Sequence, residues 1–300
     1  MKQLSNLSQI SYIKRYTLEG GKEQGLKVIE IDNGVLRLTL NESKNLDVMQ
    51  LWHKGVNLSF VSKNGFTARE IPFLNRFEGG MLYTCGLDSV GGREGFELHG
   101  SLHNCPASVI STVCTEEEIS ILSQTEFTSL FGQNLVLQRF ISTAPLSNRI
   151  TINDTLINKG TKDEQYCLLY HVNLGYPMLD EGVEIVMDES EVIPRSDWAK
   201  KHLEGRKTFD KAIDNEEERC YFITHNVPEV KVINKELGKT FTLRYSQDTL
   251  PKFVQWNSPC SQDYALGIEP CTTYLDDKFT YSTIKSGDAI DFIIDFEIED

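Results

Sequence analysis

Several features that would assign this chain to a common functional class are absent. No Cys-x-x-Cys pair occurs, and the seven cysteines are widely scattered, so the sequence indicates neither a disulfide framework nor a cysteine zinc site. Neither a G-x-G-x-x-G nor a G-x-x-x-x-G-K-[ST] motif is present, which argues against a nucleotide-binding loop. Internal repeats and low-complexity tracts are also missing, so we expect an ordinary globular fold.

Basic side chains are scarce relative to acidic ones. The chain has 30 Lys and Arg residues against 44 Asp and Glu residues, which gives a net charge of −14. A field of this sign repels phosphate backbones and anionic lipids, so we expect neither nucleic acid nor a membrane surface as a partner. A net charge far from zero also helps to keep a protein in solution.

Long apolar segments are missing as well. No stretch approaches the length that spans a bilayer, and residues 1–16 lack the apolar run of a signal peptide. We therefore expect a reducing, cytoplasmic environment in which the cysteines are not paired. The sequence leaves the oligomeric state open.

Alternation of apolar and polar residues is the dominant pattern in the chain. Residues 28–31 and 35–40 flank a turn that contains Asn33-Gly34, and Asn-Gly between alternating runs is a strong hairpin signal. Within residues 290–298, apolar residues at the even-numbered positions alternate with acidic residues at 291, 295 and 297. This pattern predicts a strand with one buried face. Further runs lie at 108–114, 135–143, 149–157, 167–174, 240–245 and 253–257. Short strands with almost no amphipathic helix between them predict an all-β sandwich or barrel.

The predicted domain organisation is a single unit over residues 1–300, because all-β sandwiches often exceed about two hundred residues as one domain. One segment, 180–219, is rich in charge and lacks the alternation. We interpret it as a solvated excursion over one edge of the sheets. Within it, residues 196–205 fit a short helix with Ser196 as the N-cap and Gly205 at the C-terminal end.

The predicted strand at residues 167–174 carries an informative polar pair. Its even-numbered residues are apolar or aromatic and fall on one face, whereas His171 and Asn173 share the opposite face with Leu169. Polar side chains within an otherwise apolar strand are costly unless they are hydrogen-bonded or functional. His171 and Asn173 are therefore candidate site residues.

A second apolar run near the C-terminus contains one carboxylate, Glu269. Pro270 favours an extended backbone at Glu269, and Gly267 leaves open space two residues upstream on the same face. An isolated carboxylate inside an apolar run requires either a cationic partner or a catalytic task.

Residues 75–92 form a glycine-rich segment that contains the charged residues Arg76, Glu78 and Asp88. Glycine allows the backbone to approach a ligand closely, and charges in an apolar segment need partners. This segment is therefore another candidate site.

His99 and His103 have the spacing of a metal-binding pair on a helix. Gly100 and Pro106 argue against a helix at this point, and we find no complete ligand set around the two histidines. We therefore expect no metal here.

Together, these segments resemble the galactose mutarotase-like (aldose 1-epimerase) superfamily, and more narrowly its uncharacterised aldose 1-epimerase-like branch. The matching stretches occur in the right order between about residue 25 and the C-terminus, at residues 75–80, 85–88, 98–100, 170–175 and 267–270. The resemblance implies a β-supersandwich of large, mostly antiparallel sheets, with a small-molecule sugar bound in a cleft on one face.

The resemblance also implies roles for individual residues. In mutarotases a glutamate acts as general base on the anomeric hydroxyl and a histidine acts as general acid on the ring oxygen; by motif, these are Glu269 and His171. An arginine and a second histidine help to hold the sugar, and they correspond to Arg76 and His99. We therefore expect these four residues to converge on one pocket. The ring-hydroxyl-binding aspartate of the mutarotases has no match in this sequence, which leaves the identity of the sugar open.

Asp88, Asn173 and Trp256 complete the candidate substrate-binding residues. Asp88 and Asn173 belong to the matching stretches. Trp256 is one of three tryptophans whose rings can stack on the apolar face of a sugar, although core packing is the commoner use of this side chain.

The chemistry of anomer interconversion explains why a carboxyl group and an imidazole are suited to it. Opening a cyclic hemiacetal requires the removal of a proton from one oxygen and the delivery of a proton to another. A carboxylate and an imidazole on opposite sides of the anomeric carbon do both, without a cofactor or a metal. The resemblance therefore implies an isomerase that interconverts α and β anomers of a monosaccharide.

Other functions fit the same scaffold, since a fold does not determine a function. In a non-catalytic carbohydrate-binding or sensing module, Glu269 and His171 would need only to form hydrogen bonds with the sugar. A lyase or hydrolase would need a second carboxylate that faces the cleft, such as Asp88 or Glu78. A sugar-phosphate epimerase would need an Arg/Lys cluster, for which Arg93 and Arg139 are the candidates.

Overall fold

A computed structural model describes residues 3–300, and its strands pair in an antiparallel manner throughout two sheets. The smaller sheet has five strands, whose spatial order equals their order in the chain. They are β1 (Tyr12–Thr17), β2 (Lys27–Asp32), β3 (Leu36–Asn41), β4 (Asp47–His53) and β5 (Val56–Asn57).

The larger sheet has 13 strands. In chain order they are β6 (Leu82–Leu87), β7 (Ala107–Cys114), β8 (Ile119–Thr128), β9 (Asn134–Thr143), β10 (Arg149–Asn158), β11 (Glu164–Gly175), β12 (Glu184–Pro194), β13 (Arg219–Asn234), β14 (Lys239–Tyr245), β15 (Lys252–Ser258), β16 (Ala265–Cys271), β17 (Ser282–Ile284) and β18 (Ala289–Glu299). Their spatial order is β17-β11-β16-β15-β13-β14-β18-β10-β9-β8-β7, with β12 paired to β13 and β6 paired to β11. The predicted all-β supersandwich of large, mostly antiparallel sheets is confirmed.

Helices are confined to short segments: α1 (Phe73–Arg76), α2 (Asp197–Lys201) and 3-10 turns at Leu7–Gln9, Gly21–Glu23, Leu102–Asn104 and Asp276–Lys278. The predicted N-cap of α2 is confirmed, because the side chain of Ser196 accepts a hydrogen bond from the backbone N–H of Ala199. The helix ends earlier than predicted, well before Gly205. Within residues 3–300, none of the helices has the length and apolar character needed to cross a membrane.

The strands predicted from alternation are present. The N-terminal hairpin is β2–β3 and the C-terminal run is β18, and the runs between them lie within β7, β9, β10, β11, β14 and β15. At the hairpin turn Gly34 has a φ of 89°. Asn33 is buried, and its amide donates hydrogen bonds to Thr143, Ala144 and Ser147, which ties the turn to the β9–β10 connection.

The charged segment 180–219 is more ordered than the sequence predicts. Its first part forms β12, which pairs with β13 through two register shifts and extends the large sheet. Only Ile185 and Met187 of this strand are buried. Because the other side chains of β12 are exposed or only half-buried, apolar alternation is too short in this strand to reveal it from the sequence.

A large cluster of buried apolar side chains lies between the two sheets. It contains Leu38 and Val48 from the small sheet and Leu137 and Phe296 from the large sheet. Almost every residue of β11 and β16 is buried. The even-numbered residues from 166 to 174 on β11, and Leu266 and Ile268 on β16, belong to this cluster. Odd-numbered residues face the opposite side of the sheet, where the candidate site lies.

A chain of buried charged side chains crosses from the small sheet to the large one. Arg139 on β9 donates to Asp154 through bonds of 2.8 and 2.6 Å and to Asp47 through a bond of 2.6 Å. Asp47 also lies 2.6 Å from Nδ1 of His103, whose Nε2 is 3.0 Å from Glu78. Each charge in the chain has an oppositely charged partner, which avoids the cost of an isolated buried charge.

The electrostatics of this chain favour alternating charges. Burial alone would raise the pKa of Asp47 and Glu78 and would lower the pKa of His103. The hydrogen bonds and charges of their neighbours outweigh burial, so the pKa of both carboxyls is lowered and the pKa of His103 is raised. The imidazolium form of His103 is therefore favoured between its two carboxylates.

Replacing Arg139 by Met would leave Asp47 and Asp154 buried without their cation. We therefore expect the free energy of unfolding of Arg139→Met to fall by about 3–5 kcal/mol. Arg149→Met is the matched control, because Arg149 lies on the adjacent strand and pairs with Asp295 near the surface; it should lose no more than about 1 kcal/mol. Urea denaturation followed by circular dichroism measures both values. An equal decrease in the free energy of unfolding for both variants would contradict the role of Arg139 as the cation that pairs with Asp47 and Asp154.

Candidate functional site

Two neighbouring strands, β11 and β16, position the candidate catalytic pair. Their antiparallel register pairs Val172 with Ile268 and, three residues further along, Leu169 with Cys271. His171 therefore lies opposite Glu269, and residues opposite each other in an antiparallel pair project from the same face of the sheet. Strand pairing thus brings together two residues that are far apart in the sequence.

The space beside Glu269 is provided by Gly267. Trp256 on β15 is the cross-strand partner of Gly267. A Cβ atom at Gly267 would lie 2.2 Å from Oε1 of Glu269 and 3.1 Å from Trp256. The carboxyl group of Glu269 therefore occupies the space that the absent side chain leaves open, which confirms the prediction from the sequence.

These residues lie in a cleft of about 620 Å³, within the range of about 300–1,000 Å³ that is usual for small-molecule sites. Apolar and aromatic side chains supply part of its lining: Phe60, Phe73, Leu74, Phe77, Leu98, Val254, Trp256 and Leu275. Ionisable side chains supply another part: Lys63, His99, His171, Arg195, Glu216, Glu218, Asp263 and Glu269. The cleft thus combines a surface for an apolar face with many hydrogen-bonding groups.

His171 and Glu269 are close enough to exchange a proton. Nε2 of His171 is 3.3 Å from Oε1 of Glu269, and the two side chains are 6% and 2% exposed. The contact lacks the alignment of a hydrogen bond, so Oε1 of Glu269 has no hydrogen-bond partner among residues 3–300, and neither has Nδ1 of His171. Buried polar atoms without partners are rare in native proteins and point to a ligand or to catalysis.

Burial favours the neutral form of both residues. It lowers the pKa of His171 to about 3, with a further contribution from the charge of His99. It raises the pKa of Glu269 well above its usual range; the negative charge of Glu218 adds to this effect, and Arg195 opposes it. In the favoured state the carboxyl group of Glu269 therefore holds a proton and the imidazole of His171 does not carry a charge.

His99 lies beside His171 in an aromatic environment. Their ring centroids are 5.5 Å apart in an edge-to-face arrangement, with Phe73 at 5.3 Å from His99 and Phe77 at 5.7 Å from His171. Burial lowers the pKa of His99 to about 4, and the charge of Arg195 lowers it further. Nδ1 of His99 accepts a hydrogen bond from the backbone N–H of Gly91 at 3.4 Å, so the neutral imidazole can donate from Nε2 to a polar ligand. Its backbone φ of 66° is uncommon outside glycine.

Three of the five predicted substrate-binding residues, Arg76, Asp88 and Asn173, do not line the cleft. Arg76 therefore does not converge with His99, His171 and Glu269, which corrects that expectation. The guanidinium of Arg76 donates hydrogen bonds to Glu97 and Asn104. Asp88 accepts hydrogen bonds from the backbone N–H and the hydroxyl group of Ser101. Because protein partners hold both side chains, neither offers an unpaired charge to a ligand.

Asn173 and Trp256 lie next to the candidate catalytic pair and contact it in different ways. The buried amide of Asn173 donates to the backbone oxygen of His171 at 2.9 Å. Trp256 lines the cleft with its ring 5.5 Å from the ring of His171, and its Nε1 donates to Glu218 at 2.7 Å. Asn173 therefore supports the backbone of β11, whereas Trp256 presents an aromatic surface to a ligand.

The residues considered for alternative functions lie outside the cleft. Glu78 and Arg139 belong to the buried charge chain, and Arg93 lies over aromatic rings. His103 uses both ring nitrogens in the charge chain, which separates it from His99. In the described part of the chain, no group of three His, Cys, Asp or Glu side chains is arranged to hold a metal ion, and all seven cysteines are free.

Sequence reasoning missed five charged residues that line the cleft: Lys63, Arg195, Glu216, Glu218 and Asp263. Three of them belong to the segment that the sequence suggests is a solvated excursion. Arg195 directly follows β12, and the two glutamates directly precede β13, so the pairing of these strands carries all three to the cleft. No local sequence signal distinguishes them from surface charges.

Comparison with known protein families gives a match over most of the chain. A family described as a domain of unknown function, DUF4432, matches residues 23–282. The chain belongs to this family. Comparison with curated proteins gives no match.

The DUF4432 chain is also similar to solved structures over nearly its whole length. A protein from Klebsiella pneumoniae, provisionally called an aldose 1-epimerase, is 22% identical with a TM-score of 0.86, over 95% of this chain and 83% of that one. A galactose mutarotase-like protein from Clostridium acetobutylicum is 13% identical with a TM-score of 0.71, over 97% and 99%. Another, from Lactobacillus casei, is 12% identical with a TM-score of 0.64, over 91% and 100%. This likeness establishes the galactose mutarotase-like fold that the sequence predicts.

Glu269→Gln should stabilise the protein, and the gain should grow as the pH rises. Between the usual pKa of a glutamate, about 4.3, and the raised pKa of Glu269, the folded protein keeps a proton that the unfolded chain releases. The unfolded state then binds fewer protons, so the stability of the native protein falls with increasing pH, by up to about 1.4 kcal/mol per unit. Glutamine does not titrate, so the Glu269→Gln variant does not lose stability in this way as the pH rises.

Urea denaturation at about pH 5 and about pH 8 measures this difference. Glu217→Gln is the control for the loss of one negative charge, since Glu217 is exposed in the neighbouring loop. The same stability difference between Glu269→Gln and the native protein at both pH values would show that the carboxyl group of Glu269 is not held in its protonated form.

Proposed function

We propose that this DUF4432 protein interconverts the α and β anomers of a free monosaccharide, without a cofactor, through Glu269 and His171. The observation that carries the proposal is the cross-strand pair itself. A buried carboxyl and a buried imidazole lie 3.3 Å apart, each with an unpartnered polar atom, in a cleft of small-molecule size. The galactose mutarotase-like fold supports the same class of reaction.

The pair supplies the two functions that ring opening needs. Because the two reacting atoms are 3.3 Å apart, they would approach the anomeric hydroxyl and the ring oxygen from one side, and not from opposite sides of the anomeric carbon as expected from the sequence. One group removes the proton of the anomeric hydroxyl while the other protonates the ring oxygen, and the bond between the anomeric carbon and the ring oxygen breaks. Rotation next to the new carbonyl group presents its other face, and ring closure reverses both proton transfers to give the other anomer. Each group therefore acts once as an acid and once as a base in a cycle.

The charge state of the pair is linked to substrate binding in this proposal. The roles that the family resemblance implies, Glu269 as base and His171 as acid, require a carboxylate and an imidazolium. The neutral pair, which burial favours, differs from this form by one proton moved across 3.3 Å. Sugar hydroxyls that hydrogen-bond to both groups would stabilise the ionised form, because charge-assisted hydrogen bonds are stronger than neutral ones. We therefore expect the pair to ionise when sugar binds.

Glu269→Gln keeps the shape of the side chain but cannot exchange a proton. Turnover should fall by about a hundredfold or more with little change in sugar affinity. His171→Asn should reduce turnover to a similar extent, because the ring oxygen loses its proton donor. Polarimetry or NMR exchange spectroscopy on freshly dissolved aldoses, ketoses, deoxy sugars and uronates measures turnover.

The control for both variants is Glu217→Gln, which should keep native turnover because Glu217 does not line the cleft. Native activity in Glu269→Gln would mean that the base lies elsewhere. Sugar binding by the native protein without any turnover would instead identify a non-catalytic sugar-binding module.

Gly267→Ala tests whether the position of the carboxyl group matters. The added methyl group would lie 2.2 Å from Oε1 of Glu269, so the carboxyl must move. We expect turnover to fall by roughly tenfold to a hundredfold, since displacement of a reacting group by about 1 Å has this effect. Gly205→Ala is the control, because a Cβ atom there meets no atom within 4 Å. If both variants turn over sugar equally fast, the placement of Glu269 is not important for the reaction.

A lyase or hydrolase is the second candidate function, because Glu218 supplies another carboxylate in the same cleft as Glu269. Two carboxylates that face one cleft are the usual requirement for cleavage of a glycosidic bond. Glu218 is 53% exposed and already accepts a hydrogen bond from Trp256, which makes it a weaker candidate for acid–base work than His171. Release of a sugar from simple glycosides by the native protein, with no anomer exchange, would favour this second function.

A further inference from the structure

The sugars that the cleft accepts depend on the charges that line it. We infer that Asp276 is a specificity-determining residue: by holding Arg195 it keeps the cleft closed to sugars that carry a carboxylate or a phosphate group. The inference rests on the proposed function, because it concerns the substrates of the same cleft.

Arg195 is the lining cation best suited to bind an anionic group. A guanidinium matches a carboxylate or a phosphate with two parallel hydrogen bonds, and its side chain here is 33% exposed, so it is partly desolvated. It also lies close enough to His99 for its charge to act on that residue. The other lining cation, Lys63, is 62% exposed and already pairs with Asp263 at 2.7 Å. A sugar acid would therefore bind through Arg195.

Asp276 already occupies the guanidinium of Arg195. Nε of Arg195 donates to Oδ2 at 2.6 Å, and Nη2 donates to Oδ1 at 3.1 Å. This two-point geometry is the one that the carboxylate of a uronate would adopt. Asp276 is therefore an internal competitor, and its effective concentration exceeds that of a dissolved sugar because it is part of the same chain.

The charge that remains around Arg195 is negative. Oε1 of Glu218 lies 3.7 Å from Nη1 of Arg195, so the guanidinium faces two carboxylates. Glu216 and Arg219 form an ion pair at 2.7 Å, so Arg219 does not offer a free positive charge to an anionic sugar. An anionic substituent thus meets a net negative field near Arg195, whereas an uncharged sugar can still hydrogen-bond to the same groups.

The backbone at Asp276 permits a substitution that removes only the charge. Asp276 begins a 3-10 turn in the loop after β16, with a φ of 57°, and asparagine adopts this left-handed conformation readily. The next residue, Asp277, is exposed, and within residues 3–300 it forms no hydrogen bond or ion pair. Asp277→Asn is therefore a matched control for Asp276→Asn.

The test compares sugars that differ only at C6: D-glucose with D-glucuronate, and D-galactose with D-galacturonate. Affinities are measured by NMR titration at low ionic strength, and turnover by NMR exchange spectroscopy. The native protein should bind the neutral member of a pair at least about tenfold more tightly. Asp276→Asn should raise uronate affinity by about tenfold or more, and added salt should reduce this gain. Asp277→Asn should change uronate affinity by less than about twofold.

Several results would overturn the inference. One is native protein that binds a uronate as tightly as its neutral partner. Another is Asp276→Asn protein with unchanged uronate affinity. A third is an increase in uronate affinity that persists in the double variant Asp276→Asn/Arg195→Gln, because this increase must depend on the guanidinium. If Asp276→Asn does not fold, the native comparison and Glu218→Gln decide, since Glu218→Gln also removes a carboxylate from Arg195 and should raise uronate affinity.

The inference and the proposed function fail in distinguishable ways. Discrimination between neutral and acidic sugars without turnover would remove the proposed reaction and leave the selectivity in place. Turnover of uronates as fast as that of neutral sugars would remove the selectivity and leave the reaction. Absence of binding by all four sugars would overturn both.

Discussion

A chain of alternating buried charges joins the two sheets directly behind the cleft. Arg139 lies at its centre and contacts carboxylates from both sheets. Tyr170 on β11 donates to Asp154 at 2.8 Å, so the strand that carries His171 is held on its core face while its other face forms the cleft. Desolvation of so many charges is offset only when all of them are paired. The position of β11 relative to its neighbouring strands is therefore restricted to the arrangement in which every charge of the buried chain has a partner.

The register of β11 against β16 places the two candidate catalytic residues side by side on the face that forms the cleft. A slip of one residue would turn His171 or Glu269 into the apolar core, because side chains alternate between the faces of a strand. In the observed register both face the cleft, yet both are buried, and burial shifts the pKa of each toward its neutral form. Burial of Glu269 therefore costs stability above the usual pKa of a glutamate, and titratable groups with such shifted pKa values are common at functional sites.

The same type of ion pair has two different uses in this protein. Arg139 and Asp154 are 1% and 0% exposed, and their pairing contributes to the fold. Arg195 and Asp276 are 33% and 36% exposed at the rim of the cleft, where water screens the pair and a ligand can compete for it. Exposure, rather than the chemistry of the pair, separates a structural contact from one that controls access to a site.

Alternation and composition by themselves determined the all-β class, the hairpin β2–β3, the strand β18 and the face of β11 that carries His171. Glu269 and the space at Gly267 also followed from the sequence, because an isolated carboxylate and an absent side chain are local features. The partners of long charged side chains were decided only by the tertiary structure, since they come from segments distant in the chain. Arg195 belongs to a segment with the composition of a solvated surface, and only the pairing of β12 with β13 and the loop after β16 bring it to Asp276 and the cleft.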